Sequence, residues 1–450
     1  MKMFRFSETR LLAILILFFP VSVLGQDSIT VVSHAKVIVA DCMKGDFEGA
    51  TSYFDQELLY RMDAAKLSQT WKLIEGQIGK VIPGQEPVIQ VEKFDSLMQV
   101  FHSCNFEKKS MDIKLVFNKN DKVIGFFFVP PNAKFSYQPP IWVTAGKVKE
   151  KDIDIQSADL RLKGKLTMPT EGTNFPVVVL VHGSGPQDMD MTIGPNCVFK
   201  DIAMSLAAHG IAVIRFDKRT KAYRAELTTM IPYMTPDEET VQDAVAAVTF
   251  AEGEELLDHR KIIVLGHSFG GMMAPQIASK SKSVRGVILM AANARPIQQL
   301  IIDQLKYISK SDSANPDIQK SLALMQEKVD RVNSKNYADD TELSLLPMGI
   351  GPPYWKYLEN YDQFKVAEQL KIPMLVLQGE RDYQVTMDDF KIWQEKLKSR
   401  PQTTFKSFPE MNHLFMSGEG PSMPVEYDKK SNLDKSVTDF IADWIWHIGL

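Results

Sequence analysis

The sequence predicts an α/β protein: a mostly parallel central sheet with helices on both faces, preceded by a small α+β domain. Three observations lead there. From about residue 150 onward, near-continuous apolar runs (Val177–Val181, Ile211–Phe216, Ile262–Leu265, Val287–Met290 and Pro373–Gln378) alternate with helical stretches such as Thr235–Glu255, the pattern of strands buried on both faces. Earlier, residues 28–80 repeat apolar side chains at helical spacing and residues 96–130 alternate as antiparallel strands do. Between these textures, Pro130-Pro131 and Pro139-Pro140 punctuate a linker. A length of 450 residues accommodates two or three domains at roughly 100–200 residues each.

Taken in order, residues 1–25 have the organisation of a secretory signal peptide. Lys2, Arg5 and Arg10 precede the apolar run Leu11–Phe19, Pro20 breaks it, and Gly25 offers a small residue at the cut. The run is short of the roughly 20 residues a bilayer span needs, so no stable membrane insertion is expected after cleavage. No cysteine stands at the cut for a lipid anchor, and the expected location is periplasmic or secreted. Residues 26–140 then read as the α+β domain. Val39, Phe47, Ala50, Phe54, Leu58, Leu67, Trp71, Ile74 and Ile78 mark helices, with a break at Gly45-Asp46. Met111, Ile113, Leu115 and Phe117 mark a strand, Asn118–Asp121 a turn, and Val123–Val129 the return strand. Residues 148–450 form the larger domain.

Composition narrows the function. With 52 Lys+Arg against 56 Asp+Glu, a net of −4 and no long basic run, nucleic acid is not an expected partner. Apolar residues at 44% suffice for a large core. Three cysteines are too few for a disulfide scaffold, and the sequence leaves open whether Cys42 and Cys104 pair. Cys197 reads as a small buried hydrophobe.

The most specific chemical signal is Gly266-His-Ser-Phe-Gly270, G-x-S-x-G between a strand and a helix. In that tight turn Ser268 is the candidate nucleophile, and the flanking glycines let the helix pass close to the strand. A serine needs a base, and the base an orienting acid, in the order Ser, Asp or Glu, His. Of eight histidines only His413 and His447 follow Ser268. His447 lies in a terminal amphipathic helix; His413 follows the strand-like Thr404–Phe408 and is the candidate base. Asp382, just past Pro373–Gln378, is the candidate acid, ahead of Glu380; Asp388 and Asp389 suit the first turn of the next helix. An oxyanion hole needs backbone N–H groups: Phe269 at the start of the elbow helix, and Ser184 or Gly183 in the Gly-rich loop His182–Pro186. His182 and His267 read as structural. Asp188 and Asp190 suit loop hydrogen bonding rather than a cation site, and Asp217-Lys-Arg219 suits structural pairing.

With these motifs in order, residues 150–450 resemble the α/β-hydrolase superfamily, and within it the exported bacterial carboxylesterases related to the dienelactone hydrolase and prolyl oligopeptidase groups. Dienelactone hydrolases use cysteine where this chain has Ser268, and residues 28–140 lack the blade repeat of a prolyl oligopeptidase propeller. The N-terminal domain resembles the DUF3887 module, NTF2-like or cystatin-like. About 80 residues separate Ala291 from Pro373, far more than a crossover needs. The excess, about residues 295–365, resembles a helical cap over the active site, with helices at Ile297–Lys310 and Asp317–Val332 and an aromatic run Pro353–Tyr361. The resemblance implies an exported serine carboxylesterase acting on small-molecule esters of small or aromatic acids, with no metal or organic cofactor; the sequence is also compatible with a homo-oligomer. The alternatives are a peptidase or amidase using the same triad, or a non-catalytic binding protein with a vestigial site.

Overall fold

This computed structural model describes residues 26–448 apart from 83–86, 88, 95–96, 130–136, 225, 228 and 311–315. The segment read as a signal peptide and the Pro130-Pro131 punctuation lie outside the described residues. The chain divides into two compact units, the first ending at Ser136 and the second opening at Tyr137.

The first unit begins with helices Gln26–Lys44, Phe47–Thr51, Gln56–Arg61 and Ala64–Ile78. Asp46, Asp55 and Asp63 start the last three, each carboxylate accepting from a backbone N–H three residues on, which satisfies one of the unpaired donors at a helix start. Strands β1 (Ile89–Phe94), β2 (Leu97–Asn105), β3 (Ser110–Phe117) and β4 (Val123–Val129) follow as an antiparallel meander. The Asn118 side chain closes the turn between β3 and β4 by accepting from Asn120 and Lys122 N–H. One sheet face supplies Val100, Ile113, Leu115 and Phe117 to a core shared with Val31, Ile38, Leu67 and Trp71 of the helices. Cys42 and Cys104 lie in that core as free thiols, both pushed up to about 12 by burial.

The second unit is built on an eight-stranded sheet. Its strands are β5 (Val148–Ser157), β6 (Leu160–Pro169), β7 (Phe175–Val181), β10 (Ala212–Phe216), β11 (Leu257–His267), β12 (Val284–Met290), β13 (Met374–Gly379) and β14 (Thr403–Phe408). A small separate hairpin, β8 (Thr192–Ile193) with β9 (Asn196–Cys197), intervenes. Across the large sheet the order is β14-β13-β12-β11-β7-β10-β6-β5, parallel from β10 to β14 and antiparallel at β5 and β6. Each apolar run noted in the sequence is one of the parallel strands. The runs are continuous because alternate residues enter different cores: Val177, Val179 and Val181 pack with Ala244, Ala247 and Val248, while Val178 and Leu180 pack with Phe199, Ile202 and Leu206. Strands β5 and β6 lack that signature. They close one edge, and Lys163 and Lys165 on β6 pair with Asp154 and Asp152 on β5, the charged dressing that edge strands carry.

Between β12 and β13 lies the insertion, with helices Ile297–Ser309, Pro316–Asn333, Pro352–Asn360 and Gln363–Gln369. Val332, Leu346 and Trp355 form a small core within it. Among the described residues no helix is long and apolar enough to cross a membrane.

Candidate active site

Strand β11 ends at His267, and the helix Phe269–Lys280 starts two residues later, so the whole reversal falls on Ser268. Its φ of 55° and ψ of −121° are strained for a residue with a side chain, at a cost of about 1–3 kcal/mol. The flanking glycines explain how the turn closes. A Cβ on Gly266 would collide with the Gly270 carbonyl, and one on Gly270 with the carbonyls of Val181 and His182. Gly270→Ala is therefore expected to destabilise the fold by more than about 3 kcal/mol, since the elbow helix and the end of β7 must separate to admit one methyl; urea unfolding of the purified variant checks this.

Asp382 and His413 meet from separate strand ends. His413, beyond β14, donates from Nδ1 to Asp382 Oδ2 at 2.6 Å, and both side chains are buried. Asp382, beyond β13, is held on four sides. Its Oδ1 accepts from the N–H groups of Gln384 at 2.8 Å and Val385 at 3.0 Å, and its Oδ2 also accepts from Gln378 Nε2 at 3.1 Å. With Nδ1 engaged, Nε2 is the imidazole nitrogen left to accept a proton. Gly183, beyond β7, packs on the elbow: a Cβ there would stand 3.1 Å from Ser268 Cβ and 3.6 Å from its Oγ. Phe269 N–H opens the elbow helix, where the first N–H groups have no intrahelical acceptor and the helix dipole is positive. Ser184 is exposed beside Gly183.

Glu380, the other acid considered, instead accepts from Ser407 Oγ at 2.8 Å on an exposed surface. Asp388 is exposed in the first turn of helix Met387–Leu397, but Asp389 does more than complement a helix dipole. It is buried, accepts from the N–H groups of Ala294 and Arg295, and pairs with Arg295, pinning the start of the insertion. Asp188 and Asp190 are loop and pairing residues: Asp188 accepts from Thr192 N–H and Asp190 pairs with Arg215. Among the described residues no cluster of three or more His, Cys, Asp or Glu is arranged to hold a metal ion. Asp217 accepts from Met189 N–H, and Arg219 pairs with Asp243. Lys218, between them, donates to Gly183 O, a contact that the position after a strand end hinted at but did not specify.

His182 and His267 brace the site from beneath. His182 Nε2 donates to Asp188 O and His267 Nε2 to His413 O, each at 2.8 Å. Burial, aided by Lys218 in one case and His413 in the other, pushes both down to about 3. Unfolded, each would take its proton near about 6.5, so the unfolded chain binds more protons between the two values. Stability is then lost as pH falls below about 6.5, by about 1.4 kcal/mol per pH unit for each histidine. Asp201 and Asp217, pushed up to about 6 by burial, oppose this only between about 6 and their ordinary 3.8, where the folded chain binds the extra protons. His267→Asn removes one of the two histidine contributions. The stability it loses between pH 7 and pH 5 should be smaller than the parent's, as read from urea unfolding at each pH.

The model for the family described as serine aminopeptidase, S33, matches residues 175–419. Esterase EstD of Thermotoga maritima is 36% identical over 439 residues, which cover 97% of this chain and 99% of that protein. This chain belongs to the serine aminopeptidase S33 family. Gly183, Ser184, Ser268, Phe269, Asp382 and His413 all fall inside the family match, and so does the insertion between β12 and β13. Residues 35–126 match a second family, the protein of unknown function DUF3887, which covers most of the helices and meander of the first unit. Among solved structures, Est1E from Butyrivibrio proteoclasticus aligns over 66% of this chain and 99% of its own, at 14% identity and a TM-score of 0.43. A hyperthermophilic esterase from Pyrobaculum calidifontis aligns over 66% of this chain and 85% of its own, at 17% identity and a TM-score of 0.40. The S33 family and the strand order together make the second unit an α/β-hydrolase fold.

Proposed function

We propose that this hydrolase is an exported serine carboxylesterase working through Ser268, His413 and Asp382. His413 Nε2 takes the Ser268 proton as Oγ attacks an ester carbonyl, and Asp382 holds the imidazole in the tautomer that accepts it. The oxyanion sits between the N–H groups of Phe269 and Ser184, the alcohol leaves with the proton returned by His413, and water hydrolyses the acyl-enzyme by the same route reversed. The observation that carries this reading is the 2.6 Å bond from His413 Nδ1 to a four-fold anchored Asp382, with His413 O bonded to His267, the residue before a serine in a strained elbow. The ester preference is supported by EstD, an esterase by name that shares nearly the whole chain, N-terminal domain included. The substrates proposed are esters of small or aromatic acids; Tyr307 of the inserted segment stacks on Tyr383, the residue after Asp382, with ring centroids 5.0 Å apart.

Amide hydrolysis is the second reading, favoured by the S33 family's description as aminopeptidases. Both use the same triad and differ in the leaving group, so matched aryl ester and anilide substrates separate them. Turnover of the ester with little of the anilide supports the esterase; the reverse supports the amidase. Labelling of Ser268 by a fluorophosphonate, located by mass spectrometry, tests the site itself. Export is tested by the N-terminus of the mature protein, expected at Gln26.

A further inference from the structure

A buried chain of polar contacts joins the cap to the loop beneath the candidate oxyanion hole. Lys218 Nζ donates to Gly183 O at 2.9 Å and pairs with Glu239 Oε1 at 2.9 Å. Glu239 Oε2 accepts from Tyr354 Oη at 3.1 Å, and Tyr354 belongs to the cap helix Pro352–Asn360. All three residues are buried, at 2%, 8% and 6% exposure, so these contacts are hardly screened by water. The Lys218 backbone grips the same loop, its N–H donating to Gln187 O.

We infer that Lys218 is a positioning residue for the oxyanion hole and that Tyr354, through Glu239, ties its setting to the seating of the cap. The inference rests on the oxyanion assignment above and deepens it. Gly183 O and Ser184 N–H belong to one peptide plane, and all described peptide bonds are trans, so the two point in opposite directions. An ammonium on the oxygen fixes the plane and thereby holds the Ser184 N–H the other way. It also draws electron density from the amide and makes that N–H a stronger donor, as charge-assisted and linked hydrogen bonds do. Gly183 is the residue packed against Ser268, so a small tilt of this plane moves a donor relative to the reacting carbonyl. Tyr354 reaches the other donor too: its ring stacks on Phe269, centroids 6.0 Å apart and planes 24° from parallel. Burial, then the Glu239 carboxylate, holds the Tyr354 phenol well above its ordinary value, so it remains a donor to Glu239. A buried ion pair is weak as a stabilising device, because desolvation offsets the attraction and apolar residues of similar volume do as well. An ammonium buried at this point is explained by its position.

The test uses the full chain. The double variant Lys218→Met with Glu239→Gln keeps the volume and leaves no unpaired buried charge. Against p-nitrophenyl acetate its kcat should fall about 10- to 100-fold, less than the 100- to 1,000-fold for losing a whole donor, with KM within about twofold of the parent. Inhibition by phenylboronic acid, whose adduct places an oxygen in the hole, should weaken by the same factor. A folded double variant with kcat within about twofold of the parent overturns the inference. Tyr354→Phe removes one hydroxyl, leaves the ion pair in place and should lower kcat about three- to tenfold with KM unchanged; unchanged kcat there overturns the link to the cap. If Ser268→Ala stays active, the assignment of the site has failed. If it is inactive while the double variant turns over normally, this inference alone has failed.

Discussion

Ser268→Ala should lower kcat for an aryl ester by about 10⁵- to 10⁶-fold, the scale on which a serine triad fails when its nucleophile is removed. The remaining donors and the binding pocket still favour attack by water, so a residual rate above the uncatalysed reaction is expected. Stability should barely change. Ser268 is half-buried, and alanine at the same strained backbone angle suffers the same conflict between its Cβ and the chain. The measurements are steady-state turnover of a nitrophenyl ester, the melting temperature, and the mass of the protein after fluorophosphonate treatment. Loss of turnover and adduct with an unchanged melting temperature is the expected result. A folded variant that turns over esters at the parent rate would remove Ser268 from the mechanism.

Asp382→Asn should lower kcat by about 10⁴-fold through the wrong histidine tautomer rather than through lost geometry. The environment decides how the amide would sit. Gln384 and Val385 both donate backbone N–H groups to Oδ1, so the amide oxygen is held there and the NH₂ is placed where Oδ2 was. That NH₂ then faces His413 Nδ1, which must accept instead of donate, and the imidazole proton moves to Nε2, the nitrogen that should receive the proton of Ser268. Gln378 cannot turn to relieve the new donor–donor contact, since its Nε2 is also bonded to the carbonyls of Gly379 and Val385. A stability loss of about 1–3 kcal/mol should accompany the change, because a buried donor is left without a partner. Turnover measured beside urea unfolding separates the two effects. An Asp382→Asn variant within tenfold of the parent would point to another acid.

Several features could be read directly from residue order. The parallel strands announced themselves because a strand buried on both faces cannot afford polar residues, as in Val177–Val181. The insertion between β12 and β13 was visible as surplus length, and its helices at Ile297–Ser309 and Pro316–Asn333 lie within a residue or so of the ends that their periodicity marked. The elbow was visible because its geometry restricts Gly266 and Gly270 to glycine, leaving a pattern in adjacent positions. Asp382 and His413 could be paired by chain order and by their places after strands, and the 2.6 Å bond between them joins loops at the carboxyl ends of two strands.

What residue order alone determined, then, was whatever is enforced locally: apolar period, obligatory glycines, and which loops follow which strands. Strands β5 and β6 escaped because the charges on their outer face read as a polar segment, and the pairings of Lys163 and Lys165 with Asp154 and Asp152 exist only once the edge strand β5 lies beside β6. Asp389 looked like an ordinary helix-start carboxylate until the fold brought Arg295 to it from 94 positions away. Lys218, Glu239 and Tyr354 are similarly scattered, and no spacing rule links them. Contacts of this kind are decided by tertiary structure, because the strength of a buried charge or hydrogen bond depends on which groups share the volume from which water has been removed, and chain order says little about that.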